Sequence, residues 1–160
     1  MRSEILLVAL LAGGCYDVSG LYGTPSMLPG SDCMQCHSAT GTAAQRTWTL
    51  AGTVFPDPKS PADAGLSNAE ILVTDSSSPN RALTLVADDV GNFYTSETLT
   101  PPLRVEAQWG DHRMRMDLPP PPGISCNSCH SAAPQPIVNG FPPAPGRLFV
   151  PTTAPADGGV

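Results

Sequence analysis

The chain has 160 residues, with 8 basic against 14 acidic side chains and a formal net charge of −6 at pH 7, a balance that argues against nucleic acid as a partner. Charged residues make up 14% while prolines number 19 and glycines 15, so turns, linkers and extended segments should outweigh long helices. This length holds one ordinary domain, or a small domain with appendages.

Residues 1–14 place Arg2 ahead of Ile5-Leu-Leu-Val-Ala-Leu-Leu-Ala12 and end in Gly13 and Gly14. A short apolar run after a basic residue, closed by small residues, reads as an export signal and is too short for a spanning helix. Leu11-Ala-Gly-Gly-Cys15 resembles the lipobox of bacterial lipoprotein signal peptides, with Ala12 where leucine is most often found. That resemblance implies lipidation at Cys15; plain cleavage and an uncleaved anchor are the alternatives. Acyl chains on one cysteine would hold the protein at a membrane, and the expectation is a periplasmic or outer-membrane lipoprotein of a Gram-negative bacterium. Residues 15–31, with Gly20, Gly23, Pro25, Pro29 and Gly30, read as a tether.

The segment 32–45 carries Cys33-Met-Gln-Cys36-His37, and the same pattern returns as Cys126-Asn-Ser-Cys129-His130. This is the attachment signature of c-type haem. Two thiols three residues apart can each form a thioether with one haem vinyl group, while the adjacent imidazole reaches the iron as proximal ligand. Two covalently attached haem c groups are therefore expected, with Cys33, Cys36, Cys126 and Cys129 as thioether residues and His37 and His130 on iron. Outside the cytoplasm an unprotected cysteine pair tends to oxidise or to bind metal, so disulfide and zinc are the competing fates. Histidine directly after both second cysteines favours haem.

Between the motifs the pattern is that of strands. Gln45 to Phe55 alternates Trp48, Leu50 and Val54 with Thr47, Thr49 and Thr53. A proline-rich loop, Pro56 to Gly65, closes it. Further strands are expected over Glu70–Asp75, Ala82–Ala87 and Asn92–Ser96, the last two joined by a turn in which Gly91 supplies positive φ. Leu103–Trp109 and His112–Leu118 form a hairpin about Gly110-Asp111. Six short strands separated by turn signals indicate a mainly β fold, a small antiparallel β-sandwich over residues 46–118 flanked by two irregular haem-binding segments. Ala51-Gly-Thr-Val54, Gly65-Leu-Ser-Asn-Ala-Glu-Ile-Leu-Val73, Asp88-Asp-Val-Gly-Asn-Phe-Tyr94 and Arg104-Val-Glu-Ala107 resemble the carboxypeptidase regulatory-like, transthyretin-like sandwich family. The resemblance covers roughly residues 48–118 and implies a scaffold without a reaction of its own.

The segment 119–150 opens with Pro119-Pro-Pro-Pro122, a stiff spacer before the second motif. The motif and the later Ala144-Pro-Gly-Arg147 are similar to terminal segments of multihaem and dihaem lipoproteins of Gram-negative bacteria. Residues 151–160 read as a disordered tail. The sixth iron ligands set the potential and the access of small molecules. His112 is the histidine outside the motifs, and on a strand it shares a face with Met114 and Met116, while Arg113 and Arg115 point the other way. His112 is expected at one iron and a methionine at the other, Met116 or Met114 ahead of Met27. The competing reading makes both methionines inward sandwich residues. Arg113, Arg115 and Arg147 are candidate partners of haem propionates. Trp48 and Trp109 read as sandwich core rather than electron relays.

Together these residues point to an exported, membrane-anchored dihaem c-type cytochrome that passes electrons to other redox proteins by outer-sphere transfer, an electron carrier and no enzyme. Two alternatives stand beside it: a small peroxidase-like or gas-binding haem protein with one open iron site, and a non-haem lipoprotein binding or structural module with disulfide or zinc at its cysteine pairs.

Overall fold

The computed structural model describes residues 27–77, 81–120, 123, 125–133, 144 and 146–153. The signal segment, the lipobox Cys15, most of the tether, part of the polyproline spacer and most of the tail lie outside them. Among the described residues six strands form: β1 (Leu50–Thr53), β2 (Glu70–Thr74), β3 (Ala82–Val86), β4 (Asn92–Thr95), β5 (Arg104–Trp109) and β6 (His112–Arg115). They make two antiparallel sheets, one of order β1-β4 and one of order β3-β2-β5-β6. The protein is a small β-sandwich.

Alternation places the core. Ile71 and Val73 on β2 and Val105 and Ala107 on β5 point inward and meet Leu50 and Phe93 from the smaller sheet. With Val54, Leu66, Leu103 and Val150 these side chains form the buried apolar core that holds the sheets together. The Asp88–Asn92 turn carries the chain from one sheet to the other, because β3 and β4 lie in different sheets. Asp88 Oδ1 accepts hydrogen bonds from the backbone N–H of Val90 and of Asn92, and Gly91 has φ +81° with the Val54 carbonyl where a Cβ would sit.

Two departures from the sequence pattern matter for function. The first strand is shorter than the Gln45–Phe55 alternation suggests, and all four of its residues are buried. Thr53, which the alternation puts on the face opposite Leu50 and Val54, is fully covered as well. The second departure lies at the far end of the chain. Arg147 to Val150 belongs to the sandwich: Phe55 N–H donates to the Leu148 carbonyl, Val150 N–H donates to the Phe55 carbonyl, and Val150 is fully buried in the core. The chain thus returns, after the second motif, to Phe55 just beyond the end of β1.

Candidate functional site

Both Cys-x-x-Cys-His motifs fold into the same local shape. A 3-10 turn spans Cys33–Gln35 (the first turn) and another spans Cys126–Ser128 (the second turn). Each is capped by a short polar side chain: Asp32 accepts from Met34 N–H, and Ser125 accepts from Asn127 N–H. The second cysteines, Cys36 and Cys129, adopt nearly equal dihedrals of φ −103°, ψ −43° and φ −106°, ψ −40°. Each motif then closes with the histidine N–H donating to the carbonyl of its first cysteine, at 2.9 Å for His37 and 2.8 Å for His130.

The imidazoles are held as metal-ligating histidines are. His37 Nδ1 lies 2.8 Å from the Arg46 carbonyl, and because a carbonyl only accepts, this nitrogen carries the proton. The neutral ring then has its lone pair on Nε2. That atom is buried and has no hydrogen-bond partner, an arrangement that costs free energy unless something binds there. His130 repeats the device more loosely, with Nδ1 3.3 Å from the Gly146 carbonyl, and burial pulls its pKa below the ordinary value.

The surroundings of His37 were not legible as a site in the sequence. Its ring stacks on Trp48, with centroids 3.4 Å apart and planes 11° apart, and Trp48 stacks in turn on Tyr94 at 4.3 Å and 13°. Trp48 N–H also donates to the His37 carbonyl. Tyr94 pairs with Ala51 in the register of β1 and β4 and stands on the side away from the core, half-exposed. Trp48 is therefore part of the first motif's setting, whereas Trp109 stays with the sandwich, its indole N–H donating to the Ser67 carbonyl.

The second turn seals the free edge of β1. Asn127 Oδ1 accepts from Thr53 N–H, the bond a neighbouring strand would otherwise take. Asn127 Nδ2 donates to the Thr53 hydroxyl oxygen and to the carbonyl of Ser31, just before the first motif. Thr53 Oγ1 also accepts from Gly30 N–H and donates to Asn92 Oδ1. Gly52 makes room for this arrangement, since a Cβ there would stand 2.8 Å from Cys126 Cβ and from the Phe93 ring. Motifs separated in sequence by the whole sandwich thus meet on one strand.

Their first cysteines are neighbours. The Ser125 hydroxyl lies beside the Cys33 thiol, whose pKa is raised chiefly by burial. Cys126, partly buried as a residue but packed against the core, is pushed up to about 12 by burial first and by the nearby Cys33 second. Cys33, Cys126 and Cys129 are free thiols, whereas Cys36 is disulfide-bonded. A sulfur so bonded cannot also hold a haem carbon, so attachment at the first motif starts from the reduced pair. Among the described residues no group of three or more His, Cys, Asp or Glu side chains forms a metal cluster.

The remaining candidates fall into two places. His112 and Met114 lie on β6, at the edge of the larger sheet, opposite Trp109 and Ala107, and Met116 follows with its N–H bonded to the Val105 carbonyl. Arg113 and Arg115 do point to the other side, where both pair with Glu106 at 3.2 and 3.0 Å. Met27 is tied to the motif region instead: its carbonyl accepts from Asn92 Nδ2, and Asn92 in turn holds Thr53. Arg147 is also there. It is buried, with Nε donating to the Ser60 carbonyl and its guanidinium over the Phe55 ring at 4.3 Å, and no carboxylate among the described residues pairs with it. A buried cation without a counter-anion is costly, which suits a group waiting for an acid.

No family model matches the chain, and no curated protein or solved structure matches it either.

Proposed function

We propose that this chain is an exported, lipid-anchored dihaem c-type cytochrome that carries electrons at a membrane surface by outer-sphere transfer. The observation that carries this reading is the buried His37 ring, with Nδ1 fixed by a backbone carbonyl and Nε2 left without a partner. The shared backbone of the two turns supports it. Haem iron would supply the change of oxidation state. The chain supplies the rest: Cys33, Cys36, Cys126 and Cys129 as thioether residues, His37 and His130 as ligands, Arg46 and Gly146 carbonyls that orient the rings, and a buried Arg147 for a propionate. A resident acid or base is not needed for electron transfer. The lipid at Cys15 would keep the carrier near its redox partners.

A second reading rests on the disulfide at Cys36 and the closeness of Cys33 to Cys126. On this reading the cysteines exchange disulfides and the sandwich is a structural module. Intact mass and visible spectra of protein exported from a host with c-type haem maturation separate the two. Two added haem masses with low-spin bands in the oxidised and reduced states are expected. A protein of unmodified mass with no Soret band would overturn the cytochrome reading, and a high-spin component would turn it toward a haem enzyme.

A further inference from the structure

The two attachment turns are one structural unit. We infer that Asn127 and Thr53 lock them side by side, so that the two haems form an electronically coupled pair and not two independent centres. This rests on the cytochrome reading.

The geometry comes from the chain's own residues. Asn127 sits inside the second motif, between its two cysteines, yet it spends its amide on the first: Nδ2 reaches the Ser31 carbonyl at 2.8 Å, two residues ahead of Cys33. The same amide holds Thr53 through both its nitrogen and its oxygen, at 3.1 Å each. Thr53 also receives Gly30 N–H at 2.8 Å. Four groups, from the lead into the first motif, from β1, from β4 through Asn92 and from the second turn, therefore converge on two adjacent side chains that are both nearly inaccessible to water. Such a satisfied, buried network fixes geometry more firmly than exposed contacts do. Cys33 and Cys126 then stand as neighbours with Ser125 beside the Cys33 sulfur. Covalent attachment at the first cysteine of each motif would pin one edge of each haem, so neighbouring first cysteines would bring those edges together.

Two strongly absorbing chromophores held close and at a fixed angle mix their transitions, and the Soret region of the circular dichroism spectrum then shows a two-signed couplet. The test compares the dihaem protein with two single-haem forms, Cys33→Ala with Cys36→Ala and Cys126→Ala with Cys129→Ala, and with the full-chain variants Asn127→Asp and Asn127→Ala. The aspartate keeps an oxygen for Thr53 N–H and loses the donor both to Ser31 and to the Thr53 hydroxyl, so it cuts the tie between motifs while leaving the backbone bond to β1. A couplet that is absent from the sum of the single-haem spectra is expected, together with a changed midpoint potential of each haem when the other is removed. Asn127→Asp should weaken the couplet while both haems stay attached. A dihaem spectrum equal to the sum, with midpoints unmoved, would overturn the coupled pair. A full couplet retained in both Asn127 variants would overturn the lock. Protein without haem would instead overturn the cytochrome reading, which keeps the two failures apart.

Discussion

The first turn presents His37 inside a stack of three rings and against the Arg46 carbonyl at 2.8 Å, whereas the second presents His130 to the Gly146 carbonyl at 3.3 Å with no aromatic stack at its ring among the described residues. The polar side is reversed. Within the cysteine pair the first turn buries Met34, while the second buries Asn127 and uses it as a connector. The same backbone is thus used once to clamp an imidazole and once to clamp the other motif. Rigidity of the ligand at one site and rigidity of the spacing at the other are separate properties, and they can be broken separately.

The largest effect should come from the ligands. His37→Ala and His130→Ala are each expected to remove the low-spin signature of one haem, read by electron paramagnetic resonance of the oxidised protein. The two should differ in stability: His37→Ala also breaks a stacked pair, worth about 0.5–1.5 kcal/mol, so its thermal midpoint falls further than that of His130→Ala. Equal losses in both would remove the distinction drawn between the sites. Next in size is Gly52→Val. A side chain there collides with Cys126 and Phe93, and overpacking of this kind costs about 1–3 kcal/mol. Urea titration should find it, and the displaced element should be the second turn, with the His37 signal unchanged.

How much of this was readable in advance depends on the range of each interaction. The strands β2 to β6 follow local alternation, so they stand within a residue or a few of their expected bounds, and the sandwich was legible. The turns were legible as motifs because cysteine spacing is local chemistry. Their meeting on β1 was not, since Asn127, Thr53, Ser31 and Gly30 make bonds across long separations that no period encodes. Asn127 occupies a position that the motif leaves unspecified. The alternation separates Thr49 and Thr53 from Leu50 and Val54 but does not say what covers the threonine face of β1, because that cover comes from residues far along the chain. The aromatic stack hid behind a sound rule, for a tryptophan on a sandwich strand is usually core; here Trp48 precedes β1 and lies on the outer side with Tyr94.

That stack gives a smaller and more selective effect. Trp48 is a positioning residue for His37, acting through ring contact, while its backbone N–H on the His37 carbonyl is kept in any variant. Trp48→Leu should cost about 1 kcal/mol and alter the low-spin resonance of the His37 haem, leaving that of the His130 haem in place. Trp48→Phe should restore most of the resonance, because a flat ring can still stack. A change shared by both haems would mean that Trp48 serves the fold alone.

The smallest effect separates the two first cysteines in protein made without haem. Burial raises the pKa of Cys33, and burial together with Cys33 pushes that of Cys126 up to about 12, against about 8.5 for a thiol in an unfolded chain. The thiolate is the nucleophile, so iodoacetamide at pH 8 to 9 should label Cys126 least in the folded protein and every free thiol after urea. The sign of the linkage follows from protons bound. Between the unfolded value and about 12 the folded chain keeps its Cys126 proton while the unfolded chain has lost it, so stability is fully present below the unfolded pKa and declines as pH rises through that window. Ser125→Ala removes a group that favours the Cys33 thiolate, and it should raise the pH at which Cys33 labels. If Cys33 and Cys126 label together at one pH, with or without Ser125, the two sulfurs do not share the surroundings described, and the closeness of the turns fails with them.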